Sequence, residues 1–141
     1  MRATSRGRKP RELFESALST AQSYDPRAAE YLRRADSSTL DALQLDDEEE
    51  MRYTLKTLGA GFWALLNAED YESGIRAVIE CGGDADTNAA VAGALLGARF
   101  GLEGIPTRLL DGLNWYRILS ESATKLITLM DSQRKEEGVD P

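Results

Sequence analysis

The chain has 141 residues, 42% of them hydrophobic and 29% charged, with a formal net charge of −7 and no histidine. That length holds about one domain with a modest core, and the balance is that of a globular rather than a disordered chain. Without histidine there is no Ser-His-Asp or Cys-His nucleophile, no His-ligated zinc and no imidazole acid–base step, and the lone Cys81 excludes an internal disulfide or a Cys-cluster zinc site.

What survives is chemistry by carboxylates, hydroxyls, lysine or a hard metal ion held by oxygen ligands. No apolar run approaches the roughly 20 residues of a membrane span, and the first residues lack a signal-peptide core. A cytoplasmic protein with no membrane partner is therefore expected. Residues 1–11 carry five basic side chains and no acid, whereas the rest holds 12 basic and 24 acidic residues. The basic start reads as a poorly ordered terminus, and the acidic body as a poor general nucleic-acid binder.

Leu13, Phe14, Ala17, Leu18 and Ala21 have helical spacing, which predicts a helix over 12–22. Asp25-Pro26 supplies an N-cap and a first-turn proline for a second helix to Ala35. Residues 37–45 read as a short helix or a turn. The acid run Asp46–Glu50 reads as a solvated first turn, favoured by the helix dipole, of a long helix from Glu49 to Asn67. That helix turns Tyr53, Leu55, Leu58, Phe62, Leu65 and Leu66 inward. Gly59 and Gly61 within it point to close packing or a bend.

Asp70 caps a further helix to Glu80, which Gly82-Gly83 ends. The next helix runs from Asp86 to Phe100 and stops at Gly101, a natural C′ residue. A last helix is expected over 111–131, with a polar tail from residue 133. No strand alternation is evident, so the expected class is all-α, a helical bundle over residues 12–132.

The segment 81–101, CGGDADTNAAVAGALLGARFG, stands apart from the rest. Ala89, Gly93, Gly97 and Gly101 recur every fourth residue, as do Ala90, Ala94 and Ala98. One helix face is thus nearly bare, as suits a helix buried in the middle of a bundle. At its start, Asp84, Asp86 and Thr87 follow a glycine pair that lets the backbone fold tightly. Capping of the free first-turn N–H groups explains such residues, and so does a divalent cation between two carboxylates and a hydroxyl. An all-oxygen donor set suits Mg²⁺, Mn²⁺ or Ca²⁺, but three donors do not complete a six-coordinate shell.

GGDADTNAAVAGALLGARFGLEGIP, residues 82–106, resembles the C-terminal metal motif of the ADP-ribosylglycohydrolase family, with its G-G-D-x-D-T start, small-residue helix and closing I-P. The upstream stretch TLGAGFWALLNAEDYESGIRAVIECGGD, residues 57–84, is similar to the family as well. The resemblance covers about residues 50–130. It implies an all-α fold, the C-terminal part of the family's bundle, and hydrolysis of the glycosidic bond at C1″ of ADP-ribose. It further implies that Asp84, Asp86 and Thr87 are ligands of a dinuclear Mg²⁺ or Mn²⁺ site. The partner is then ADP-ribose or an ADP-ribosylated substrate.

Ala85 and Asn88 depart from the family pattern, Asn88 by placing an amide where the family packs an apolar group. The family's G-D-A-x-G and S/T-D-D-T-like segments, which supply the opposite ligands and a catalytic carboxylate, are not found. LDDEEE, residues 45–50, has neither the preceding hydroxyl residue nor the following threonine. No catalytic residue is assigned, and the dinuclear site is only partly encoded. The expectation is the C-terminal half of a glycohydrolase, inactive without a complementary N-terminal chain. Alternatives are a non-catalytic metal or ADP-ribose-binding module and an inert helical remnant. A bundle halved in this way should expose an apolar face, so pairing or self-association is also expected.

Overall fold

The computed structural model describes residues 9–136. Among them are seven α-helices and no strand, the all-α class expected: α1 (Pro10–Tyr24), α2 (Pro26–Ala35), α3 (Thr54–Asn67), α4 (Tyr71–Glu80), α5 (Ala85–Phe100), α6 (Thr107–Asp111) and α7 (Tyr116–Glu136). Two 3-10 turns, Asp41–Leu43 and Leu102–Gly104, lie between α2 and α3 and after α5. The chain divides into two compact units after Pro106. Most of the basic start lies outside the described residues, and α1 begins at Pro10, two residues before the expected start.

The helix starts follow local chemistry. Asp25 accepts a hydrogen bond from the Arg27 N–H at 2.9 Å ahead of Pro26. Asp70 forms a capping box with Ser73, accepting from the Ser73 N–H at 2.7 Å while its own N–H donates to the Ser73 hydroxyl at 3.2 Å. The acid run behaves differently from the expectation. Residues 46–52 form successive turns, and α3 starts only at Thr54. Five adjacent carboxylates repel one another in a helical turn. Leu43 and Leu45, both buried, tie this segment to the core as a loop.

Within the first unit the central helix is α3, which packs on α1, α2, α4 and α5. Apart from Leu65, its deepest positions are small or polar: Lys56, Thr57, Gly59, Ala60, Gly61 and Ala64. The large residues expected to face inward are mostly half-buried, Leu65 excepted. The two glycines permit this close packing within a continuous α3. A Cβ on Gly61 would lie 3.0 Å from Val91 and 3.1 Å from Leu95, and one on Gly59 would press into Leu43. Around α3, Phe14 meets Phe62 edge-on at 6.1 Å and Tyr31 meets Tyr53 at 5.6 Å. Burying Phe14 alone contributes up to about 3 kcal/mol.

The small-residue helix α5 lies to one side of this centre, against α3 and α4. Asn88, Ala92 and Leu96 form its buried stripe, whereas Ala90, Ala94 and Ala98 are exposed. The expectation of a helix buried all round is therefore corrected to one covered on two sides. In the second unit, the helix expected over 111–131 starts later, at Tyr116, and runs on to Glu136 as α7, while the short α6 ending at Asp111 was not expected. Gly112–Trp115 separates the two, with Trp115 at φ +66°. Leu119, Leu126, Ile127 and Met130 of α7 are exposed rather than buried. Among the described residues, no helix is long and apolar enough to cross a membrane.

Candidate metal centre

Asp84, Asp86 and Thr87 come together at the mouth of α5. Gly82 and Gly83, at φ +74° and +66°, turn the chain out of α4 through the left-handed region that only glycine enters without strain. The turn is seated on backbone: a Cβ at Gly83 would overlap the Leu45 carbonyl oxygen and stand 2.8 Å from its carbon. The acidic loop and the G-G-D-A-D-T segment are thus in direct contact, although the sequence keeps them well apart.

Asp84 occupies the N-cap position but makes no side-chain cap bond. Its Oδ1 accepts instead from the Thr87 hydroxyl at 2.9 Å. The Thr87 N–H donates to Asp86 Oδ1 at 3.0 Å. Asp84 is half-buried and the other two are exposed, so the three oxygen donors face solvent from one turn of helix. The Asp84 side chain, the Thr87 N–H and its own N–H hold the Asp86 carboxyl below the ordinary carboxylate value, with the Arg52 charge acting in the same sense. Two carboxyls this close are stabilised by a shared proton or by a cation.

The donor set, two carboxylates and a hydroxyl, is of the type that suits a hard divalent ion as part of a coordination shell. Among the described residues, no three His, Cys, Asp or Glu side chains converge on one point. A cleft of about 550 Å³ beside the turn is lined by Asp41, Gln44, Asp46, Asp47, Glu80 and Cys81 among others, but by none of the three candidate ligands. Cys81 is half-buried, and burial, with Asp41, Asp46 and Glu80 nearby, pushes its thiol above the usual value. That is the state of a packing residue rather than of a nucleophile.

Two polar residues near the turn were not expected as part of the site. Lys56 is 1% exposed, and its ammonium donates to the Gln44 carbonyl at 2.6 Å with Asp47 at 4.0 Å. Thr57, also buried, donates to Asn88 Oδ1 at 2.8 Å. Their signal in the sequence is faint: charged and hydroxyl residues entering an otherwise apolar and small-residue helix. The aromatic side chains divide between the units. Tyr53 and Trp63 pack against the core, while Trp115 is 75% exposed.

A model of the ADP-ribosylglycohydrolase family matches residues 1–136. The chain belongs to the ADP-ribosylglycohydrolase family. An uncharacterized protein of Archaeoglobus fulgidus is 31% identical over 128 residues, covering 84% of this chain and 39% of that protein. The ADP-ribosylarginine hydrolase Tri1 of Pseudomonas putida is 32% identical over 74 residues, covering 52% of this chain and 20% of that enzyme. The enzyme of the same name from Serratia proteamaculans is 33% identical over 81 residues, 57% of this chain and 22% of that enzyme. The chain thus matches well under half the length of these relatives. No solved structure gives a significant match.

Proposed function

We propose that this glycohydrolase-family chain supplies Asp84, Asp86 and Thr87 as ligands of a dinuclear Mg²⁺ or Mn²⁺ centre that hydrolyses the C1″ glycosidic bond of ADP-ribose. The observation that carries this reading is the behaviour of Asp84. A carboxylate at an N-cap ordinarily accepts from first-turn N–H groups, and this one turns to the Thr87 hydroxyl beside Asp86 instead. Capping alone leaves that arrangement without a purpose.

In this role Asp84 and Asp86 provide anionic oxygens, and Thr87 orients Asp84 through its hydroxyl. Bound metal supplies Lewis-acid stabilisation of substrate hydroxyls and of water. The remaining ligands and the catalytic carboxylate come from polypeptide equivalent to the rest of the longer relatives. Because two relatives carry the name ADP-ribosylarginine hydrolase, an arginine-linked ADP-ribose is the substrate to try first.

Metal titration tests the reading directly. Mn²⁺ or Mg²⁺ should raise the thermal midpoint of the chain, and Asp84→Asn and Asp86→Asn should each abolish the rise. Mixing with the complementary polypeptide should then give metal-dependent release of ADP-ribose from an ADP-ribosylated arginine peptide. A folded, associated but inactive mixture would leave a non-catalytic binding module. Absence of any response to either metal would leave an inert helical remnant.

A further inference from the structure

The first turn of α3 places Lys56 and Thr57 side by side, and they reach to different segments of the candidate centre. Lys56 holds the 44–47 loop on which Gly83 rests. Thr57 crosses to α5 and bonds Asn88, the residue that follows the candidate ligand Thr87. Asn88 also closes the first turn of α5, since its backbone N–H donates to the Asp84 carbonyl at 3.0 Å.

One turn along, the α3–α5 contact is apolar where Gly61 meets Val91 and Leu95. Apolar contacts lack direction, and packed helices slide along them. Hydrogen bonds fix direction, and α5 has one to α3 near each end: Thr57 to Asn88, and Arg99 to the Leu65 carbonyl at 2.8 Å. Asn88 is fully buried, yet its Nδ2 has no hydrogen-bond partner. An unpaired buried amide is destabilising, and an apolar residue of similar size would remove the penalty. The orientation that the pair imposes accounts for a polar contact at this buried position.

We infer that Thr57 and Asn88 are positioning residues, a buried hydrogen-bonded brace that fixes the first turn of α5, and with it Asp84, Asp86 and Thr87, on α3. The effect on ligands rests on the metal-centre reading above, whereas the effect on the turn does not. The two are separated by measuring both in the intact chain.

Thr57→Val removes the hydroxyl at nearly constant volume, and Thr57→Ser restores it. Hydrogen exchange at the Asn88 amide, without metal, should quicken about fivefold in Thr57→Val, the equivalent of one hydrogen bond. Exchange at the Leu96 amide, farther along α5, should hold steady. Mn²⁺ affinity by calorimetry should fall about tenfold, as for groups that orient metal ligands, and Thr57→Ser should recover both readouts. If the two amides quicken together, or neither does, the brace is refuted, because packing alone explains that result. Selective quickening with unchanged Mn²⁺ affinity refutes the link from brace to ligands. Selective quickening in a chain that binds no Mn²⁺ upholds the brace and removes the metal-centre reading instead.

Discussion

Replacing Gly83 with alanine probes the seat of the candidate centre. Two penalties combine at this position. The φ of +66° puts an alanine in the left-handed region, at about 1–2 kcal/mol. The added Cβ would also overlap the Leu45 carbonyl, and backbone has no alternative rotamer with which to escape. The loop must therefore move away, drawing on Leu45, which is 2% exposed. Partial loss of one buried leucine costs about 2 kcal/mol, toward the lower end of large-to-small core changes. The sum is a destabilisation of about 3–4 kcal/mol. Gly97→Ala is the matched control, since nothing lies within 4 Å of its added Cβ and its backbone is helical. That change should stabilise by about 0.5–1 kcal/mol. Urea unfolding followed by circular dichroism reads both. A Gly83→Ala chain within about 1 kcal/mol of wild type would refute the claim that the turn rests on Leu45.

Other outcomes follow from single contacts. Lys56→Ala leaves the Gln44 carbonyl without its charged donor and should destabilise the chain by about 2–3 kcal/mol, read by the same denaturation. Asp70 is held below its ordinary value of 3.8, first by the Ser73 N–H and then by the Ser73 hydroxyl. Its folded value lies below its unfolded one, so its contribution is full above the ordinary range and drains as pH falls through the folded value. Asp70→Asn should flatten that part of the acid limb of a thermal-midpoint profile. Cys81, with its thiol raised by burial, should alkylate more slowly with iodoacetamide at neutral pH in the folded chain than in urea.

The elements written locally are legible in the sequence. Asp25-Pro26, the Asp70 cap and the Gly82-Gly83 stop all act within a turn of their own position, and each stands where expected. Asp84, Asp86 and Thr87 converge because they are close in sequence on one helix start. Tertiary neighbours decide the rest. The depth of α3 depends on Gly59 and Gly61 meeting side chains from remote segments, which hydrophobic spacing alone does not encode. The acid run offers a plausible dipole argument for an early start to α3, but mutual repulsion and the burial of Leu43 and Leu45 outweigh it. The Thr57–Asn88 pair is not legible in the sequence, because its two members stand 31 residues apart and meet only across packed helices.

The contact between Thr57 and Asn88 joins positions 31 residues apart, and that between Arg99 and Leu65 joins positions 34 apart. Loops of that size must close before either bond forms, with an entropic barrier that local helix formation does not face. The D-A-D-T turn can therefore become helical early in folding, but it gains its buried anchor only once α3 has docked. In the proposed metal centre, competence to hold an ion would then be acquired late, as a property of the assembled bundle rather than of the motif.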